Sequence, residues 1–373
     1  MAFSTFPPII PTKSHLQTKG RHEAARQETT LSTIKDVSKR TGLSLATISK
    51  YLNGGNVREK NRMVIDEAVE ALGYRVNRNA RSLKTNRTMT VGVVIPTLSI
   101  PFFGEVLSAL DRELRAAGYT SFVCSYDFDR DLECEKLRVL CNNNVDGIVL
   151  AAQFVSAKEL EEIRNARGSE MPMVLIDRTI PGFTCDSIVV DNLNATYGAV
   201  EQLIGAGHRR ISIIAGPLGI STANERMVGY QRALEDYGID CESVPSGEDD
   251  AGNGLIRIGQ YDFESGYRLF NQLMDQPSPP TALCVTNYDM TMGAVTAAHE
   301  RGIVLGRDVG FVGFDAVDLC RIVSPPLSII EQPAKHMGQK AGEVLLKRMA
   351  NDELPYPQVI RLKSHLHNRP YKE

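Results

Sequence analysis

The apolar positions of this chain change their period twice. Residues 1–31 are rich in Pro, Thr and Lys, hold no sustained period and predict a disordered basic tail. From Ser32 the spacing becomes helical: Ile34 and Val37, then Leu43, Ile48 and Leu52, then Val64, Ile65, Ala68, Val69 and Leu72 make three stripes. The punctuation agrees. Thr33 is a good N-cap with Asp36 three residues on, Gly42 permits a tight turn, Ser44 caps the second helix, and "NGGN" (Asn53–Asn56) ends it. Beyond Arg87, short β-rich runs alternate with amphipathic helices. The runs are "TVGVVIP" (90–96), "SFVCSY" (121–126), "GIVLAA" (147–152), "MVLID" (173–177), "SIVVD" (187–191), "ISIIAG" (211–216), "LIRIGQ" (255–260), "ALCVTN" (282–287) and "VGFVGFD" (309–315). Runs this apolar predict parallel sheets covered on both faces, and nine or more of them predict two α/β lobes. Ligands of such sheets bind beyond the carboxyl ends of strands, which places "PTLSIPFF", "IDR", "NYDM" and "FDA" in a candidate cleft. The polar, Gly-rich 241–254 reads as a surface loop, since its GxG lacks the strand and third glycine of a dinucleotide fingerprint.

Composition adds bounds. At 373 residues, 42% hydrophobic and 23% charged, the chain suits two to three domains with a substantial core. No apolar run is long enough to cross a bilayer, and "MAFSTFPPIIPTK" lacks the basic start and cleavage site of a signal peptide. Seven scattered cysteines without CxxC spacing suggest reduced thiols of a cytoplasmic protein. The net charge of −3 conceals a polarity: residues 1–31 carry +2, residues 32–87 carry +7, and the remainder carries −12. A cationic head on an anionic body suggests a polyanionic partner for the head alone.

With Ile48 and Leu52 turned inward, Leu45, Ala46, Ser49, Lys50 and Asn53 share the outer face of the second helix. In a DNA major groove, Leu45 and Ala46 suit thymine methyls, and Lys50 suits guanine or a phosphate. Thr33, Ser49 and Asn53 suit the phosphate backbone. The alternative is a solvated face of a small helical module, which leaves two exposed apolar residues without a purpose.

The stretch "TIKDVSKRTGLSLATISKYLNG" resembles the headpiece of the LacI family of bacterial transcription regulators. The resemblance continues through "ALGYRVNRNARSLKT", "VDGIVLA", "LIGAGHRRISIIAGP", "ERMVGY" and "VGFDAVDLCRIVSPPLSIIEQP", covering residues 32 to about 365. It implies an α plus α/β architecture: a helix-turn-helix headpiece (32–76), a hinge helix or linker (77–88) and a two-lobed periplasmic-binding-protein-like body (89–373). The first lobe would span about 89–190 plus 334–360, and the second about 191–333 plus 361–373. By the same resemblance Ser44 caps the reading helix, whose Leu45, Ala46 and Lys50 meet bases, while Asn77, Ala80 and Leu83 belong to a hinge that wedges the minor groove. Two positions depart from the pattern: Val76 stands where Pro usually precedes the hinge, and Arg58 replaces the Ser or Thr that starts the third helix.

In the body, the resemblance implies an effector site at Phe102, Phe103, Asp177, Arg178, Arg226, Asn287 and Asp315, with a sugar or sugar acid as ligand. Each has a plainer reading: Asp177 and Asp315 as helix caps, the two Phe as core, and Arg226 paired with Glu225 or Glu235. His208 reads as structural. The expected protein is a repressor bound to palindromic double-stranded DNA as a homodimer through a face near Glu105–Ala116. No tetramer-forming leucine-heptad tail follows the last strand. The chain has no phosphate-binding Gly loop, metal-spaced His/Cys set or nucleophile elbow, so neither an enzyme nor a cofactor or metal is expected. A transport receptor on the same body is the runner-up. It would need an export signal and no basic head.

Overall fold

Three helices too short to persist alone in water are held by one shared apolar seam. The computed structural model describes residues 32–52, 54–74, 87–165, 170–240, 254–352 and 355–367. The chain divides into two units, Met1–Arg78 and Asn79–Glu373. In the first, α1 (Ile34–Thr41), α2 (Leu45–Leu52) and α3 (Glu59–Leu72) bury Val37, Ile48, Ile65 and Ala68. Leu43, Leu52, Val69 and Leu72 pack around them. Val64, expected in the third stripe, is instead exposed, because Ile65, Ala68, Val69 and Leu72 already define the inward face. The Asp36 carboxylate accepts from the Thr33 N–H at 2.8 Å and the Thr33 hydroxyl at 2.7 Å, closing the start of α1. Gly42 takes φ +68° at the α1 end, a left-handed turn that a Cβ would strain. The Tyr51 hydroxyl donates to Asp66 Oδ1 at 2.6 Å and joins α2 to α3.

In the second unit all nine expected strands form, within two six-stranded sheets. The first sheet runs β11 (Val359–Leu362), β5 (Asp186–Val190), β4 (Met173–Asp177), β3 (Gly147–Leu150), β1 (Thr90–Ile95), β2 (Thr120–Ser125), and every pairing is parallel. The second runs β12 (His365–His367), β10 (Ser328–Glu331), β9 (Gly310–Phe314), β8 (Ala282–Val285), β6 (Ile211–Ala215), β7 (Ile256–Ile258). Here β12 is antiparallel, unlike the wholly parallel expectation. Strand β11 runs to Leu362, so the first lobe reaches past position 360. Strand β2, expected to be covered on both faces, is an edge strand with Phe122 and Val123 exposed.

Alternation along the strands sends side chains to opposite layers. In the first lobe Val91, Val93, Ile95, Val149 and Val174 meet α4 (Pro101–Ala116) and α12 (Ala334–Met349). Val94, Ile148, Leu150 and Leu175 meet α5 (Arg130–Asn142) and α6 (Ala157–Asn165). The second lobe repeats the plan with α7 (Asn192–Gly205) and α8 (Ser221–Asp236) on one face. On its other face lie α9 (Phe263–Met274), α10 (Tyr288–Glu300) and the short α11 (Leu319–Ile322). Gly338 lets α12 approach α4 so closely that a Cβ there would collide with the Val106 carbonyl. The chain passes between lobes three times, after β5, after β10 and between β11 and β12.

One ion pair ties α12 to the first sheet. Arg348 Nε lies 2.6 Å from Asp186 Oδ2, and its second nitrogen lies 3.1 Å from Oδ1, which also accepts from the Gln358 N–H at 2.7 Å. The Asp186 carboxylate is almost wholly buried, so removing its partner strands a charge, which typically costs about 3–5 kcal/mol. Arg348→Met is therefore expected to lower the stability of the body by about 3–5 kcal/mol in denaturant unfolding. A loss under about 1 kcal/mol would mean that water reaches Asp186.

Candidate functional site

Two surfaces gather the expected residues. On the first unit, α2 presents Leu45 (43% exposed), Ala46 and Lys50 outward, with Ser49 half-buried and Ile48 at zero exposure beneath them. Ser44 Oγ accepts from the Thr47 N–H at 3.3 Å, capping the helix that carries this face. Thr33 is exposed beside α1, but its hydroxyl proton is already directed at Asp36, which holds the Asp36 carboxyl below its ordinary pKa. Arg58 precedes α3 in extended conformation without a side-chain cap, and it is exposed. Lys35, Lys39, Arg40, Lys50, Arg58, Lys60 and Arg62 all reach solvent. A residue not singled out before is Gly55, which lies against the Lys50 stem: a Cβ there would meet Lys50 Cγ at 2.6 Å and the Lys50 carbonyl oxygen at 2.8 Å. Asn53, Asn77, Ala80 and Leu83 lie outside the described residues.

In the body, the seven expected effector residues converge on one cleft between the lobes. Asp177 ends β4 and Asp315 follows β9, each with φ near +60° (64° and 60°), a left-handed conformation uncommon outside glycine and Asn/Asp. Neither caps a helix. Asp315 accepts from the Gln332 N–H at 3.2 Å and from Gln332 Nε2 at 2.7 Å, so both of its oxygens are oriented. Its remaining exposed surface faces the cleft, and burial pushes its pKa up to about 6 against the opposing pull of Arg226.

Arg226, on α8, is buried and pairs with neither Glu225 nor Glu235. Its Nε donates to Asn192 Oδ1 at 2.8 Å, a second nitrogen donates to the Thr286 carbonyl, and the guanidinium lies 4.3 Å from the Phe314 ring centroid. Glu225 instead pairs with Arg361 at 3.0 Å. Arg178 is held from two sides: its Nε sits 3.1 Å from Asp177 Oδ2, off the line of the N–H, and another nitrogen donates to Gln153 Oε1 at 2.6 Å. Phe102 and Phe103 pack edge-to-face at 5.1 Å within the first-lobe core, as their plainer reading has it, and also line the cleft. Asn287 lines the cleft as the cap of α10. Its Oδ1 accepts from the Met290 N–H at 3.0 Å and its Nδ2 donates to the Tyr261 carbonyl at 3.1 Å.

Further cleft residues were not foreseen: Tyr261, Gln332, Thr222 and Phe128. Tyr261 and Gln332 follow β7 and β10, so the strand-end rule reaches them once those strands are placed. Behind the cleft, fully buried Glu133 of α5 accepts from the N–H groups of Gln153, Phe154 and Val155 at 2.8, 2.7 and 3.0 Å. Burial raises its pKa, while the three donors oppose that shift. This fixes the loop whose Gln153 holds Arg178. His208, whose Nδ1 lies 3.1 Å from Thr281 Oγ1, packs against Gly310 away from the cleft.

The pattern described as "Bacterial regulatory proteins, lacI family" matches residues 33–77. That of the "Periplasmic binding proteins and sugar binding domain of LacI family" matches residues 88–367. The chain is 32% identical to the HTH-type transcriptional repressor PurR of Proteus mirabilis over 86% of its own length and 91% of the relative's. It is 30% identical to the repressor CytR of Escherichia coli K12 over 87% and 92%. A solved structure of the lac repressor bound to ONPG superposes with a TM-score of 0.77 at 23% identity, covering 92% of this chain and all of that one. No helix among the described residues is long and apolar enough to cross a membrane. A basic helical headpiece joined to a two-sheet, cleft-bearing body is thus matched along both parts, and the chain belongs to the LacI family of bacterial regulatory proteins, DNA-binding regulators of transcription that carry an effector-binding domain.

Proposed function

We propose that this regulator represses transcription in the cytoplasm as a homodimer on a two-fold operator, under the control of a sugar or sugar acid held in the cleft. The carrying observation is the convergence of Asp177, Asp315 and Arg226 on one cleft walled by Phe102, Tyr261 and Tyr288. Oriented carboxylates accept from vicinal hydroxyls, a guanidinium donates to ring or carboxylate oxygens, and aromatic faces cover C–H surface. Arg178 is already neutralised by Asp177. Among the described residues, no carboxylate lies within ion-pair distance of Arg226, which leaves its charge available to a ligand. The control is by binding alone, with no chemistry, cofactor or metal. A transport receptor on the same body would have no use for residues 33–77.

At the DNA, Leu45, Ala46 and Lys50 read bases while Ser49 and Asn53 orient the headpiece on phosphates, Ser44 caps the reading helix, Thr33 reaches a phosphate only by turning its hydroxyl from Asp36, and Asn77, Ala80 and Leu83 form the minor-groove hinge. One eight-residue helix reads few base pairs, so two mirrored copies are needed for useful discrimination.

In gel-shift or fluorescence titrations, operator affinity is expected to fall with salt at a log–log slope of about −0.9 per phosphate contact. Lys50→Ala should cost about 1–3 kcal/mol at a single base position per half-site. An equal loss on every sequence would reassign Lys50 to phosphate.

The cleft carries a pH signature. Only ionised Asp315 accepts two ligand hydroxyls, and its pKa lies at about 6, so ligand affinity should fall as pH drops through about 6 and level off above it. Asp315→Asn should weaken ligand binding and remove that dependence in calorimetry, with operator binding intact. Retention of the pH step in the variant would assign it to another group.

A further inference from the structure

Two basic segments leave the headpiece at one corner. The Ser32 hydroxyl donates to the Leu72 carbonyl at 2.7 Å, so the chain enters α1 beside the last turn of α3. It departs from the same place, where the Tyr74 N–H closes α3 on the Val69 carbonyl at 3.0 Å. Residues 1–31 and 75–86 themselves lie outside the described residues. Their composition is informative all the same. Residues 75–86 hold Arg75, Arg78, Arg81 and Lys84 with no acid, and residues 1–31 hold Lys13, Lys19, Arg21 and Arg26 against Glu23 and Glu28. The matched family pattern begins at residue 33 and leaves the first segment out.

Electrostatics names the partner of that first segment. The headpiece and linker, at +7 over residues 32–87, repel its four cations, and two anionic surfaces remain: the body and duplex DNA. The body spreads a charge of −12 over residues 88–373. Duplex DNA holds one charge per ~1.7 Å of axis, so about 20 Å of it equals the whole body. Reach is sufficient. Arg26, Arg21 and Lys19 stand six, eleven and thirteen residues before Ser32, hence up to about 20, 36 and 43 Å from it at ~3.3 Å per residue. One turn of duplex spans about 34–36 Å, so these cations command phosphates over roughly a turn beside the headpiece. At the root itself α1 offers phosphates little, because the Thr33 hydroxyl points at Asp36 and the first exposed cation is Lys35.

We propose that residues 13–26 form a DNA-binding arm, whose Lys13, Lys19, Arg21 and Arg26 pair singly with phosphates flanking the stretch read by α2. A net charge of +2 is too small for a patch, but each cation that meets a phosphate releases counterions on its own. Such contacts raise affinity for every duplex alike and add no base selectivity. The placing of the arm rests on the linker reading, in which residues leaving the same corner meet the same DNA, and a linker variant keeps the two apart.

The test is fluorescence anisotropy of the full-length chain on two duplexes several turns long, over a range of KCl concentrations. One duplex has random sequence, and the other is selected by the protein from a random library. A first variant combines Lys13→Gln, Lys19→Gln, Arg21→Gln and Arg26→Gln. A second keeps the charges as Lys13→Arg, Lys19→Arg, Arg21→Lys and Arg26→Lys, and a third carries Arg78→Gln and Arg81→Gln in the linker. All are verified as folded by circular dichroism. The neutral arm should lower the log–log salt slope by about 0.9 for each cation in contact, about two to three and a half in all, and weaken both duplexes equally by about tenfold or more at low salt. The charge-preserving variant should match the unsubstituted chain. An unchanged slope in the neutral arm, beside salt-dependent binding by the unsubstituted chain, would overturn the proposal. So would a gain in affinity, which assigns these cations to the acidic body, or a loss on one duplex alone, which assigns them to bases. A neutral linker that changes nothing removes the linker reading, while the arm stands if its own slope falls. Absence of salt-dependent binding by the unsubstituted chain to either duplex would overturn the headpiece's DNA contacts and the arm together.

Discussion

Parallel pairing of strands is the constraint from which the body follows. Each parallel neighbour must be reached by a crossover, most crossovers here carry a helix (β4 joins β5 without one), and helices cover both faces of the central strands. Side chains that must meet a ligand are left with the strand ends. Asp177 and Asp315 occupy such ends in opposite lobes, both in the left-handed conformation that turns the chain sharply out of the sheet. The cleft is the space where those ends face one another, and each carboxylate is steered by a neighbour: Asp177 by Arg178, Asp315 by Gln332.

Behind this lies a chain of buried polar contacts with no apolar substitute. Glu133 gathers three backbone N–H groups, which orient Gln153, which holds Arg178, which neutralises Asp177. Glu133, Asp177 and Arg178 are buried and Gln153 half-buried, so the desolvation cost of these groups is offset by specific geometry, although Arg178 Nε faces Asp177 without a hydrogen bond. The arrangement makes one wall of the cleft rigid, whereas the Phe102 and Tyr288 side rests on packing.

Much of this was legible from residue order. Eight of the nine apolar runs became buried strands, which tolerate little but apolar residues, and the headpiece stripes fell into one core apart from Val64. What escaped has a common cause. Strand β10 follows a helix of only four residues and β12 follows β11 with no helix between, so the strand–helix alternation that marked the nine runs fades there, and Gln332 escaped with β10. The exposure of Phe122 depends on β2 lying at a sheet edge, a fact of strand order that no local pattern carries. The plainer readings of the cleft residues split for similar reasons. Asp177 and Asp315 cap no helix, Arg226 does not pair on its own surface, and Phe102 serves core and cleft together. Such double duty appears only when tertiary neighbours are known.

That double duty of Phe102 reaches well beyond the cleft. The ring sits in the first turn of α4, and α4 lies against α12 at a point where Gly338 brings a bare backbone up to the Val106 carbonyl. Interiors packed this closely have almost no compressibility. A guest that displaces the ring by a few tenths of an ångström meets two interlocked rods rather than a yielding side chain, and they shift as a pair or hold as a pair.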